Sequence, residues 1–288
     1  MKISKLHLCA VLLIALSLTS SAWSYDLMNA ELKPETSKAF NHYVQVVETR
    51  LHTSQPQKGA PDNQPFLWMD TLPADHHDEI IHKLQKGELV IEKMTEKESG
   101  HDIPVPGGMV HHWVGTIFVP GATVQQVLAL LQDYDHHKDL YKPEVVDSKL
   151  LSHNGNTFKS FLRFYKKKII GVTLNTEHEA NYFLLSPTRA ASEARATRIA
   201  EVEHAGENNE KEKPVGKGLG TLWALNSYWR FEDRDGGVYI QCEAVSLSRD
   251  IPNGLGWLIK PFITDVPKES LTTTLNATRS GLQKINAK

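Results

Sequence analysis

Three histidine groupings are the first residues in this chain whose type and spacing point to chemistry: His76-His77 with His82, His111-His112, and His136-His137. Histidine ligates metals and moves protons near neutral pH. "HHDEIIH" lacks the HExxH order that sets two ligands one helical turn apart around a glutamate. Adjacent histidines on a strand point to opposite faces, so "HHW" turns at most one ring inward. No ligand set of recognised spacing results, and neither a metal nor a cofactor is expected. The chain also lacks a Gly-rich phosphate loop, a nucleophile elbow and a CxxC pair, so no residue is assigned a catalytic role.

Cys242 sits in a strand-like run with nothing electropositive near it in sequence, the setting of a small buried thiol rather than a nucleophile. Arg249-Asp250 either ties a turn as an ion pair or offers a polar anchor to a ligand head group. In "FYKKKIIG", Lys166–Lys168 protect a strand end. Three lysines add a weak attraction to anionic lipid, enough for transient contact with a membrane surface.

The elements that must position these residues begin with a leader. "MKISKLH", "LCAVLLIALSL" and "TSSAWS" form a basic, an apolar and a small-residue segment, read as a cleavable signal peptide over 1–24 that sends the chain to the periplasm or outside the cell. The apolar run is shorter than the roughly 20 residues a spanning helix needs. The 288 residues are 40% hydrophobic and 23% charged, with a net charge of −2, the balance of a soluble globular protein. Loss of the leader removes Lys2 and Lys5 and no acidic residue, giving −4. Without a basic excess, a nucleic-acid partner is not expected. Only Cys242 survives cleavage, so there is no internal disulfide.

Residues 25–108 read as a helical extension with a linker. Phe40, Tyr43, Val44, Val47 and Leu51 recur at helical spacing behind Pro34. "SQPQKGAPDNQP" is a linker by composition, and a second helix covers Ala74–Gln85, with Gly87 just past its end. "ELVIEKM" reads as a strand.

From about residue 109 the rhythm changes. "HHWVGTIFVP" is a strand, and "TVQQVLALLQDY" a helix capped by Thr123. Strands follow at Val145–Leu151, Thr157–Tyr165, Ile169–Thr176, Ala180–Leu185, Arg195–Val202, Thr221–Glu232 and Val238–Ser248, mostly separated by turn residues. A closing helix carries Leu271, Leu275, Thr278, Leu282 and Ile285 on one face. Strands joined by tight turns, with helices at the two sequence ends, specify an α+β fold on an antiparallel sheet.

With Asp235-Gly236 as a two-residue turn, Phe231 pairs with Ile240 and Trp229 with Cys242, and Ala244 continues this apolar face. The opposite face carries Tyr228, Arg230, Glu232, Tyr239, Gln241 and Glu243 and is expected to be solvated. The closing helix offers Thr274, Thr278 and Gly281 between its leucines. Small residues opposite sheet aromatics suit either a cavity or close helix–sheet packing.

"HHWVGTIFVPGATVQQVLALLQDYDHH", "LWALNSYWRFEDRDGGVYIQCEAVSLSRDIP" and "GLGWLIKPFITDVPKESLTTTLNATRSGL" resemble the START-like superfamily, also called the SRPBCC or helix-grip fold, which includes polyketide cyclase and coenzyme Q-binding branches. The resemblance spans about 110–282 and places the helix-grip domain over 109–288. It implies a curved sheet of about seven strands around a long C-terminal helix, enclosing a cavity for an apolar molecule such as a lipid, quinone or polyketide. It also implies that "SRDIPNGLGWLIKPF" forms the cavity mouth. The ligand-binding residues expected are Trp229, Phe231, Ile240, Cys242 and Ala244 from the sheet, Arg249, Trp257 and Phe262 from the mouth, and Leu271, Leu275 and Thr278 from the helix. A carrier of an apolar molecule is the first reading. A cyclase- or hydrolase-type enzyme on the same fold, and an interaction module with a filled core, are the alternatives.

Overall fold

Seven long strands alternate inward and outward residues and pair into one sheet in a computed structural model that describes residues 29–54, 64–251, 257 and 260–287. The expected leader lies outside these residues. So do Pro252, Gly254, Leu255, Gly256 and Ile259 of the expected mouth. Among the described residues no helix is long and apolar enough to cross a membrane.

The strands are β1 (Val90–Lys93), β2 (Gly108–Pro120), β3 (Val145–Asn154), β4 (Thr157–Lys167), β5 (Gly171–Ser186), β6 (Arg189–Glu203), β7 (Ala224–Arg234) and β8 (Gly237–Arg249). They lie in the order β1-β2-β8-β7-β6-β5-β4-β3, antiparallel throughout, with β1 a short addition at one edge. The helices are α1 (Pro34–Ser54), α2 (Ala74–Gln85), α3 (Val124–Gln132) and α4 (Val266–Asn286). The sheet curves around α4. The fold is therefore α+β, a curved antiparallel sheet with α4 gripped on its concave side, as expected.

Two expected strands, Ile169–Thr176 and Ala180–Leu185, are one. The polar "EHE" between them is not a turn: β5 pairs with β4 without interruption from Gly171 to Asn181, and the register shift opposite Glu177/His178 leaves the extra residue, Thr197, in β6. The bulge bends β6 while β5 keeps its alternation. Thr123 caps α3 by accepting from the Gln126 amide, and Asp235 and Gly236 both adopt positive φ in the β7–β8 turn, as a two-residue hairpin requires. The expected pairings Phe231–Ile240 and Trp229–Cys242 hold. On α4, Leu271, Leu275, Thr278 and Leu282 are buried, but Ile285 is exposed at the helix end.

The convex face departs from expectation. Tyr228, Arg230, Glu232, Tyr239, Gln241 and Glu243 are all buried rather than solvated, because the N-terminal segment covers them. Phe40, Tyr43, Val44, Val47 and Leu51 of α1 pack on Tyr228, Val245 and Leu247. Phe66, Leu67 and Met69 with Ile80 and Leu84 of α2 pack on Phe118, Ala191 and Tyr239. The buried charges find partners in the same cover. Arg230 donates to the carbonyls of Leu51 (2.9 Å) and Phe66 (2.6 Å), so the last turn of α1 receives a cation at its negative end. Arg189 donates to Glu232 through Nε at 2.7 Å, and Gln241 accepts the Trp68 amide.

α4 packs directly against the β2 backbone at Gly115. A Cβ there would stand 2.6 Å from Leu275 Cδ1 and 3.3 Å from Leu271 Cδ2. Leu275 is fully buried, so its methyl has no room to yield. Gly115→Val therefore lifts α4, and overpacking of this kind costs about 1–3 kcal/mol. Chemical denaturation should show a lower midpoint with an unchanged slope, whereas a wild-type midpoint would mean that the helix is not clamped at this point.

Candidate functional site

The inward residues of β5, β6, β7, β8 and β2 form ranks across the sheet, and side-chain volume varies from rank to rank. One rank, Ala190–Phe231–Ile240–Ile117, is fully buried and fills the space beneath α4. The next is Tyr182–Ser192–Trp229–Cys242–Gly115, and the one after it Ala180–Ala194–Ser227–Ala244–Trp113. Alanine, serine, cysteine and glycine dominate these two ranks. Opposite them α4 presents Ser270, Leu271 and Thr274. Small residues on both sides leave a cavity of about 300 Å³ whose wall is mainly apolar.

Of the residues expected to bind a ligand, Trp229, Cys242, Ala244, Phe262 and Leu271 line this cavity. Phe231, Ile240, Leu275 and Thr278 do not. They lie in the packed layer beyond it, each with no exposed surface. The apolar alternation of the hairpin identified the inner face but not the rank at which filling stops. Arg249 is not on the cavity wall; it closes β8, its amide donating to the Gly220 carbonyl at 2.8 Å. Trp257 is 58% exposed and also off the wall. Phe262 is buried with Ile263 against Val172, Leu174 and Leu219. Tyr165 lines the cavity and is itself exposed, so the cavity reaches the surface near the β4–β5 hairpin and the start of α4.

Five wall residues absent from the expected ligand set form a histidine–tyrosine cluster on the cavity wall: Tyr134, His137, Tyr141, His178 and Tyr182. Tyr134, His137 and Tyr141 come from the short turns after α3, with His137 between the two tyrosine rings at centroid distances of 4.7 and 5.1 Å. Tyr134 and Tyr182 share a hydrogen bond of 2.9 Å. Tyr141 meets Thr278 at 3.3 Å. His178 is on β5, in line with Ala180 and Tyr182, and is walled in by protein while keeping surface toward the cavity. It was hidden in sequence because the strand containing it read as two. "HHW" divides as expected: His111 lines the cavity, while His112 points to the convex face.

Burial governs the electrostatics of this interior. It pulls His111, His137 and His178 down to about 4, pushes Tyr134 up to about 12, and raises Tyr141, Tyr182 and Cys242 well above their ordinary ranges. At neutral pH these groups are all uncharged. Lys166 lies at the surface end, held by Glu144 and Glu269.

A second cluster lies on the convex side. Glu96, His112 and Glu243 place ligand atoms within 4.8 Å of one another. Most of these atoms are already engaged, Glu243 Oε2 being buried without a hydrogen-bond partner among the described residues. Tyr43 Oη and His112 Nδ1 share a hydrogen bond of 2.9 Å, and the Glu96 amide donates to the same tyrosine oxygen. His112 Nε2–H donates to Glu243 at 2.8 Å. Arg50 reaches both carboxylates. Burial alone would raise Glu243, but His112 and Arg50 outweigh it and hold the carboxyl below its usual range. Arg50 supplies the positive charge a cation would bring, so the cluster ties α1 to the sheet.

No family model and no curated protein matches the chain. Among solved structures it is similar to a STAR-related lipid transfer protein from Xanthomonas axonopodis, at 16% identity over 66% of this chain and 98% of that one, TM-score 0.43. It is also similar to an aromatase/cyclase from a Streptomyces species (14% identity, 61% and 95% covered, TM-score 0.40) and to a START superfamily protein from Mycobacterium smegmatis (9%, 61% and 99%, 0.39).

The three depressed histidines set a pH dependence. The unfolded chain takes up protons on these rings from about pH 6.5, while the folded chain takes none until about pH 4. The unfolded state then binds more protons, so their contribution to stability is complete above that window and falls as pH drops through it. Urea midpoints measured at several pH values should fall more steeply for the wild type than for His178→Gln. Parallel profiles would show that the ring is not held neutral by the fold.

Proposed function

We propose that this chain is exported and binds, and carries, an apolar small molecule between its curved sheet and α4. One observation supports this above the others: two adjacent ranks of small residues under a helix that is itself locally small leave about 300 Å³ with a mainly apolar wall. That volume stands at the lower end of the roughly 300–1,000 Å³ of small-molecule pockets. The void lies beside a core in which Phe231, Ile240, Ile117 and Leu275 fill their space completely. Well-packed interiors hold few voids larger than a water molecule, so a space of this size needs a reason.

The energetics agree. A guest burying about 300 Å² of apolar surface gains on the order of 7 kcal/mol, enough to outweigh part of the cost of association. Lipids, quinones and polyketide-like compounds have the required apolar surface, and a guest short enough for this volume has the required size. The leader at 1–24 supports export, and the exposed surface at Tyr165 and Ile169 gives the guest a route in and out near a surface that also carries Lys166–Lys168. The wall holds histidine and tyrosine side chains, but the protons of Tyr134, His137, Tyr141, His178 and Tyr182 are engaged with the protein, which favours binding over acid–base turnover.

Native mass spectrometry of the protein purified from its host, followed by organic extraction, should recover a co-purifying apolar compound. Ala244→Phe, which places a ring in the small-residue rank beside Trp113, should lose that compound and bind an apolar fluorescent probe at least about tenfold more weakly, with thermal stability kept. A variant that binds as well as the wild type would show that the guest does not occupy this space.

A further inference from the structure

The hydrogen-bond directions inside the cavity fix what its histidine–tyrosine cluster offers. His178 Nε2 is 2.8 Å from Thr176 Oγ1, and the single proton of that hydroxyl is already donated to the Leu162 carbonyl at 2.9 Å. The short contact is therefore a bond donated by His178, so Nε2 carries the ring proton. His137 Nε2 is 3.0 Å from the Leu131 carbonyl, which only accepts. That ring is protonated at Nε2 too. A neutral imidazole has one N–H, so each ring has a bare Nδ1 lone pair. Neither Nδ1 receives a hydrogen bond from a described residue, and both rings line the cavity.

The tyrosines follow the same logic. Tyr182 donates to the Leu131 carbonyl at 3.3 Å, so the proton in its contact with Tyr134 comes from Tyr134. Thr278 donates to the Thr274 carbonyl at 2.9 Å, so the proton between Tyr141 and Thr278 comes from Tyr141. Every proton of the two imidazoles and three phenols is spent on the protein, and what remains for a guest is lone pairs. The serine hydroxyls of the wall rotate and serve donors and acceptors alike. Both imidazoles are uncharged at neutral pH because burial disfavours the cation, and the lysine on the wall, Lys166, is tied to the carboxylates of Glu144 and Glu269.

We propose, resting on the reading of the cavity as a ligand site, that its histidine–tyrosine part takes a neutral hydrogen-bond donor, the hydroxyl of an alcohol or phenol on an apolar body, and turns away carboxylates and phosphates. An anion brings only lone pairs and negative charge to a cluster that itself offers lone pairs. A hydroxyl brings the proton that these five side chains lack. Buried acceptors left without a donor cost free energy, so a guest of the same shape without the proton binds less well.

Calorimetric titration of the purified protein with decanol, its methyl ether and decanoate near neutral pH tests this. Decanol should bind about tenfold more tightly than the ether, with decanoate weakest. Equal affinity for alcohol and ether, or tightest binding of decanoate, overturns the proposal while leaving the cavity a ligand site. If none of the three binds, the ligand-site reading falls and this proposal with it. His178→Leu should bring decanol down to the affinity of the ether and leave the ether unchanged; loss of both equally would mark the ring as structural. Long-range nitrogen–proton correlation spectra of the unaltered protein give a check that needs no variant. Bare Nδ1 and protonated Nε2 in both rings support the proposal, and a proton on Nδ1 of His137 and His178 overturns it.

Discussion

The contact between α4 and Gly115 is the constraint from which the rest of the interior follows. With no Cβ on β2 at that point, Leu275 and Leu271 settle against the strand itself, and the helix is held close to one side of the sheet. The sheet then curls away from it through β8, β7, β6 and β5. A side chain grows by discrete groups, and where the ranks carry Phe231, Ile240 and Ile117 the gap is closed. Where they carry Ser192, Ala194, Ser227 and Ala244 it is not. The cavity is thus a volume deficit at a fixed place, set between a clamp and a curve.

A curved sheet with a hollow under it needs support from its other side, and the N-terminal segment supplies it. Arg230 is satisfied by two main-chain carbonyls, one of them at the end of α1, and Arg50, Glu96, His112 and Glu243 join α1 to β2 and β8. Buried ion pairs of this kind add little net stability over apolar packing, but removing one partner is expensive. What they add is a fixed position for the cover. The convex face cannot slide under α1 without stranding a charge, so the strands keep the curvature on which the cavity depends.

The two sides of the sheet therefore use polar groups in opposite ways. On the convex side, charged groups of both signs are held by one another or by main-chain carbonyls. On the concave side, burial keeps imidazoles and phenols neutral and their hydrogens face the protein. Separation follows from strand alternation: His112 and Glu243 point one way, and His111 and Cys242, next to them in sequence, point the other. A single sheet thus holds an ionic seam and an uncharged pocket one residue apart.

The chain's own residue order determined the elements and their faces. Period-2 alternation, Asp235-Gly236 between two apolar runs, the Thr123 cap and the leucine stripe of α4 are local signals, and local interactions produce what they describe. The α+β class and the inner position of Trp229, Cys242 and Ala244 follow from them. Three matters were decided only by tertiary structure. Cover by α1 and the Phe66–Met69 segment buried a face whose composition reads as solvated, because pairing partners for Arg230 and Glu243 come from residues more than a hundred positions away. Unbroken alternation along β5, with the bulge taken up by its neighbour β6, brought His178 into the wall. The boundary between filled core and hollow, with Phe231 and Ile240 on one side and Trp229 and Ala244 on the other, depends on volumes summed across five strands and a helix, and no single strand's sequence contains that sum.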